Sequence, residues 1–154
     1  MARLHAAAGT PTLELEDAEV ELLRGLLGEV ADELSEDATA GPVRERLLPD
    51  AHRDDPELAA AVRDLIEDSL REDKLADIAA VLAALPLGAG AVELTEPDPW
   101  LRALNDVRLM LGVELGVTED TDPPEGVQDR TQLRLAIYFW LTHLQEGMVA
   151  SAVR

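Results

Sequence analysis

The sequence predicts a mostly α fold, a compact bundle of four to six helices with a minor two- or three-stranded antiparallel sheet near the N-terminus. Three observations carry that expectation. Apolar residues recur at spacings of three and four through most of the chain, which places them on one side of successive helices. A period-two alternation appears briefly near the start, in "TLELE", as a half-buried strand requires. The length of 154 residues suits a single domain, 1–154, around one core that buries about 70% of the surface of the unfolded chain.

Leu13 and Leu15 alternate with Glu14 and Glu16 after the turn residues Gly9, Thr10 and Pro11; Leu4 to Ala6 supply a hairpin partner. From Asp17 to Leu34 the residues Val20, Leu23, Leu27, Val30 and Leu34 form one helical stripe, and Asp17 and Glu19 suit the positive end of the helix dipole. "SEDATAGP" ends that helix, and Pro42 opens a short helical turn through Leu48. Asp55 and Pro56 read as N-cap and first residue of a helix carrying Leu58, Val62, Leu65, Ile66 and Leu70. A break near "REDK" is expected before a second helix with Leu75, Ile78, Val81, Leu82 and Leu85, so that the two form an antiparallel or bent pair. Pro86, Gly88 and Gly90 stop the second.

"AVELTE" offers Val92 and Leu94 at strand spacing. Thr95 begins the capping pattern of the next helix, which keeps Pro97 and Pro99 in its first turn and runs to about Leu115. The acidic, proline-containing loop 116–128 is expected to be mobile. A last helix spans Asp129 to Val149 with Leu133, Ile137, Trp140, Leu141, Leu144 and Met148 on its core side.

Thirty-two acidic against thirteen basic residues give a net charge of -19, which repels nucleic-acid phosphates and anionic headgroups. Direct nucleic-acid and membrane binding are therefore not expected. The absence of cysteine excludes disulfides, thiolate metal sites and cysteine nucleophiles. "MARLHAAAGTPTLELED" lacks the apolar centre of a signal peptide, and no run of about 18 apolar residues exists for a membrane span. A soluble, cytoplasmic protein is the expectation.

The most informative stretch is "WLRALNDVRLMLG", Trp100 to Gly112, where polar residues interrupt a helix that is otherwise apolar nearly all round. Arg108 falls beside Leu104 on the inward side, while Arg102 and Asp106, four apart, can pair along the helix. Asn105 and Arg108 share the face of Leu101 and Gly112, where glycine lets a neighbouring backbone approach. Arg102, Asp106 and Arg108 can thus be a polar tie within the core, with Arg108 bound to an acid or carbonyl of another segment. Alternatively, Asn105 and Arg108 can hold a small anion or a peptide carboxylate.

His5, His52 and His143 have no second histidine at metal-ligand spacing. "HLQE" places His143 and Glu146 on one helical face as a surface pair. Ser35, Ser69 and Ser151 sit in no nucleophile motif, "GAGA" is not a phosphate-binding loop, and the acidic runs lack the glycine and glutamate positions of a calcium loop. No metal, no cofactor and no enzymatic activity are expected. Leu135 and Phe139 lie roughly opposite the core side of the last helix, either under the short strands or as a protein-contact patch.

Three segments, "LLPDAHRDDPELAAAVRDLIEDSLREDK", "WLRALNDVRLMLGVELGVTED" and "FWLTHLQEGMV", resemble an uncharacterised actinobacterial family catalogued as domain of unknown function number two thousand and seventeen. The resemblance spans most of the chain, and its signature is "LND-x-R-L" followed by "W-L-T-x-L-Q-E". His52 and Val62 stand where that family has aromatic residues. Its genes commonly lie beside that of ClpS, the adaptor that feeds N-degron substrates to the Clp protease, and some members carry the label of transcriptional regulator. The resemblance implies a protein-interaction or accessory module linked to Clp-dependent proteolysis, with a transcription-linked regulator acting through protein contacts as the alternative. A protein partner or a homodimer is expected.

Overall fold

The computed structural model describes residues 2–5, 9–49 and 56–152. The described residues form β1 (Arg3–His5), β2 (Thr12–Leu15), α1 (Asp17–Leu34), α2 (Pro42–Leu47), α3 (Pro56–Ala84), β3 (Gly90–Glu93), α4 (Pro97–Leu115) and α5 (Arg130–Ala152). The strands make one antiparallel sheet in the order β1-β2-β3, with Leu13 opposite both Leu4 and Val92. The period-two pattern has its intended result: Leu13, Leu15 and Val92 are buried while Glu14 is exposed. The mostly α fold with a small sheet stands as the sequence implies.

Helix α4 is central. It touches α1, α2, α3 and α5, and Trp100, Ala103, Leu104, Val107, Met110 and Leu111 are all buried along it. A helix walled in on several sides must be apolar around most of its circumference, and that is why polar residues on it are informative. Its N-cap is Glu96 rather than Thr95, with no side-chain cap bond. Its end is fixed by Gly116 at φ 65, a left-handed conformation that glycine adopts without a Cβ penalty, and Val117 N–H closes the turn onto the Gly112 carbonyl at 3.0 Å.

Helix α1 and the short α2 match the sequence reading closely. Glu19 accepts from Glu16 N–H at 2.9 Å, the reciprocal half of a capping box, and from Ala2 N–H at 2.6 Å, tying β1 to α1. Arg44 on α2 donates to the Glu33 and Ser35 carbonyls, closing the C-terminal end of α1. Arg134 on α5 bridges Glu29 of α1 and Glu114 of α4 at 3.2 and 2.7 Å.

Helix α3 departs from the expectation. "REDK" does not break it; one continuous 29-residue helix replaces the pair. Arg, Glu and Lys are good helix formers and no proline or glycine intervenes, so the lapse in apolar spacing marks a change of environment and not an end. Leu65 and Ile66, read as core-facing, are 72% and 39% exposed, and among the described side chains of α3 the first buried one is Ile78. The proposed Asp55 cap and the His52 and Leu58 side chains lie outside the described residues.

The acidic segment 116–128 carries its own turn: Thr121 N–H donates to the Thr118 carbonyl, and Thr118 N–H to the Thr121 hydroxyl at 2.9 Å. Asp129 then caps α5 through Gln132 N–H at 2.8 Å, while the Gln132 side chain accepts from Gln128 N–H. On α5 itself, Ile137, Leu141, Leu144 and Met148 are buried as expected. Leu133 is not; it is 47% exposed, in the first turn of α5 and about 50° from the centre of that stripe on a helical wheel.

Candidate functional site

Asp106 is the only buried charged residue among those described, 2% exposed. It sits on α4 between Ala103 and Met110, where the stripe asks for an apolar side chain. Its partner is Lys74 of α3, with Nζ 2.7 Å from Oδ1, and not Arg102 as the four-residue spacing suggested. Arg102 instead forms a fork with Asp77, also on α3, at 2.8 and 3.0 Å. Both pairs therefore cross between helices rather than running along one, and they fix the register of α3 against α4. Burial pushes the Asp106 carboxyl above its usual range, against the opposing pull of Lys74; its Oδ2 has no partner.

Arg108 is half-buried, as its inward placement predicts, but its acceptor is neither acid nor backbone. Its Nη1 donates to Gln145 Oε1 on α5 at 2.8 Å. The Gln145 amide nitrogen donates in turn to the Leu101 carbonyl at 3.0 Å, which fixes which end of the amide faces the guanidinium. The guanidinium also stands 5.3 Å from the centre of the Tyr138 ring, a cation–π contact. The ring lies alongside Gly112, where an added Cβ would stand 3.6 Å from Tyr138 Cε2, an ordinary van der Waals contact; an aromatic side chain, and not a backbone, is the neighbour there.

Asn105 is exposed on α4 and makes no side-chain hydrogen bond among the described residues. It stands where three depressions meet. One is a broad groove of about 660 Å³ between α4 and α5, walled by Leu101, Thr142, Gln145, Val149 and Ala150. The second lies over the α3–α4 ion pairs. The third, about 410 Å³, is bounded by Arg46 of α2, Arg108 and Gly112 of α4, and Tyr138 of α5. Asn105 and Arg108 thus come together at the junction of two grooves, as the sequence suggested. Lys74, Arg46, Gln145 and Tyr138 were missed; only Lys74 left a signal, as the sole lysine of the chain on the stripe of Leu70, Ile78 and Val81.

Leu135 and Phe139 are half-buried. Phe139 meets Tyr138 edge to face at 5.5 Å. The strands reach α5 at Gly147, where a Cβ would lie 3.4 Å from Leu4, about two turns beyond Phe139. His143 and Glu146 form the surface pair foreseen, 3.7 Å apart and well exposed. Among the described residues no group of three or more His, Asp or Glu side chains is arranged to hold a metal ion, and no helix is long and apolar enough to cross a membrane.

A family model described as domain of unknown function (DUF2017) matches residues 1–152, and the chain belongs to that family. It is 32% identical to a Mycobacterium leprae protein over 169 aligned residues, covering 85% of this chain and 77% of that protein. It is 36% identical over 125 residues to the oxidative stress regulator AosR of Mycobacterium tuberculosis (strain ATCC 25618 / H37Rv) and to that of Mycobacterium bovis. These matches cover 70% of this chain and 56%, little more than half, of each relative. No solved structure matches.

Proposed function

We propose that this DUF2017 chain is a regulatory module that acts by binding another protein, without catalysing a reaction, and that the outward side of α5 with its groove against α4 is the docking surface. The carrying observation is that α5 is apolar on two sides. Ile137, Leu141, Leu144 and Met148 are spent on the core. Leu135 and Phe139 lie on the opposite side and Val149 on the flank between; Val149 is 51% exposed and borders the α4–α5 groove. A solvent-facing helix normally keeps polar residues there. A partner helix with an apolar stripe fits such a groove, and the net charge of -19 favours basic residues flanking that stripe.

The regulator's name carried by the mycobacterial relatives favours this reading over an accessory role in Clp-dependent proteolysis, and it points to the oxidative stress response. These 154 residues hold no cysteine, so a thiol switch is closed to them. Met110 and Met148 are each 1% exposed, shielded from the oxidant that sulfoxide formation needs.

The test is affinity capture from native cell extract with the wild-type chain and with Val149→Asp, whose exposed position leaves the fold intact. The expected result is a component of the transcription apparatus retained by the wild type and lost with Val149→Asp. Equal retention of that component by both baits would refute the surface, and retention of a Clp subunit instead would refute the regulator reading.

A further inference from the structure

The depression between α2, α4 and α5 has a chemistry unlike the rest of the surface. In a chain with 32 acidic residues, its wall contains no carboxylate and two guanidiniums, those of Arg46 and Arg108. Several other arginines are paired: Arg102 with Asp77, Arg134 with Glu29 and Glu114, Arg71 with Glu36 and Asp68. Arg46 is exposed and has no ion-pair or hydrogen-bond partner among the described residues. Arg108 makes a single hydrogen bond, through Nη1, and its buried Nε has no partner.

Arg108 is nonetheless held in place. Gln145 is oriented by the Leu101 carbonyl and in turn fixes one edge of the guanidinium, while the Tyr138 ring lies against it. A donor fixed in this way loses little conformational freedom when it binds. Two cations on the wall of one depression, with no carboxylate beside them, repel each other, and an oxyanion between them relieves that repulsion. The volume of about 410 Å³ lies in the range of small-molecule sites, and Leu109, Val113 and Val117 supply an apolar side.

We propose that this pocket binds a small organic anion, with its carboxylate or phosphate head on Arg46 and Arg108 beside Asn105, and its apolar body against Leu109, Val113 and Val117. The site stands independently of the protein-contact reading, because its wall shares with the α4–α5 groove only Asn105 and Arg108.

The experiment is calorimetric titration of the full chain with benzoate, phenyl phosphate and inorganic phosphate at matched ionic strength, repeated on Arg46→Gln. An exposed, unpartnered arginine can be replaced without loss of fold, and Arg130→Gln, also exposed, controls for net charge. Saturable binding of an aromatic anion, weakened roughly tenfold or more by Arg46→Gln and unchanged by Arg130→Gln, is expected, since one charge-assisted hydrogen bond contributes about that factor. Preference between benzoate and phenyl phosphate tells a carboxylate head from a phosphate. Inorganic phosphate binding as tightly as either would overturn the organic-body claim. Absence of saturable binding by all three, or equal weakening in both variants, would overturn the site.

Discussion

Replacing Lys74 with Met removes the only cation bonded to the one buried charge among the described residues. Asp106 is 2% exposed, accepts from Lys74 Nζ at 2.7 Å, and has no other side-chain partner. Breaking a buried pair from one side costs about 3–5 kcal/mol. The Lys74 side chain is 18% exposed, so water reaches that end and the lower figure, about 3 kcal/mol, is expected at neutral pH. At roughly 2–4 °C per kcal/mol for a chain of this size, Tm should fall by about 6–12 °C.

The pH dependence has a definite sign. Burial raises the folded-state Asp106 pKa above 3.8 and the Lys74 hydrogen bond lowers it, so Lys74→Met raises it further. With the folded pKa above the unfolded one, the native state holds the proton more tightly in that window. The Asp106 contribution is then most favourable below the unfolded pKa and is lost as pH rises through the folded pKa. The cost of Lys74→Met should therefore be smaller at an acidic pH than at a neutral one, because the stranded carboxyl takes up a proton more readily. Urea unfolding followed by circular dichroism at both pH values measures this, and the double variant Lys74→Met with Asp106→Leu should recover most of the loss, because a packed apolar pair can replace a buried ion pair. A single-variant cost below about 1 kcal/mol at neutral pH, or one that neither acid nor Asp106→Leu relieves, would refute the reasoning.

Gln145→Leu should cost about 1–3 kcal/mol in urea unfolding, since it takes from Arg108 its one hydrogen-bond acceptor and from the Leu101 carbonyl a donor. Gly116→Ala, at φ 65, should cost about 1 kcal/mol by the same assay because the left-handed cap penalises a Cβ. Raising salt from dilute buffer to a few tenths molar should raise Tm, since a net charge of -19 destabilises the compact state by self-repulsion that salt screens; a falling Tm would show that specific ion pairs outweigh it.

The helices α1, α2 and α4 were legible because apolar residues at spacings of three and four outnumber the interruptions and prolines or glycines mark several of their ends. The sheet was legible because Leu13 and Leu15 alternate with acids. Helix α3 was not, and the reason is instructive. Lys74 occupies the stripe of Leu70, Ile78 and Val81, so a charged residue at an inward position imitates a helix break. Asp106 does the same on α4. Two such anomalies on different helices are each other's explanation, but a spacing rule applied to one helix pairs Asp106 with Arg102 instead. Arg108 could be placed inward from its own helix, whereas Gln145 and Arg46 could not be assigned to it, because a polar residue on an amphipathic helix gives no sign of which neighbour it meets.

The central claim, a protein contact on the outward side of α5, is tested most directly by hydrogen–deuterium exchange of the chain alone and in complex with the captured partner. Backbone amides of α5 across Leu135 to Val149, together with those of α4 bordering the groove, should exchange more slowly in the complex, with α3 unchanged over its exposed stretch at Leu65 and Ile66. Protection confined to α3, with α5 exchanging as it does in the free chain, would contradict the account.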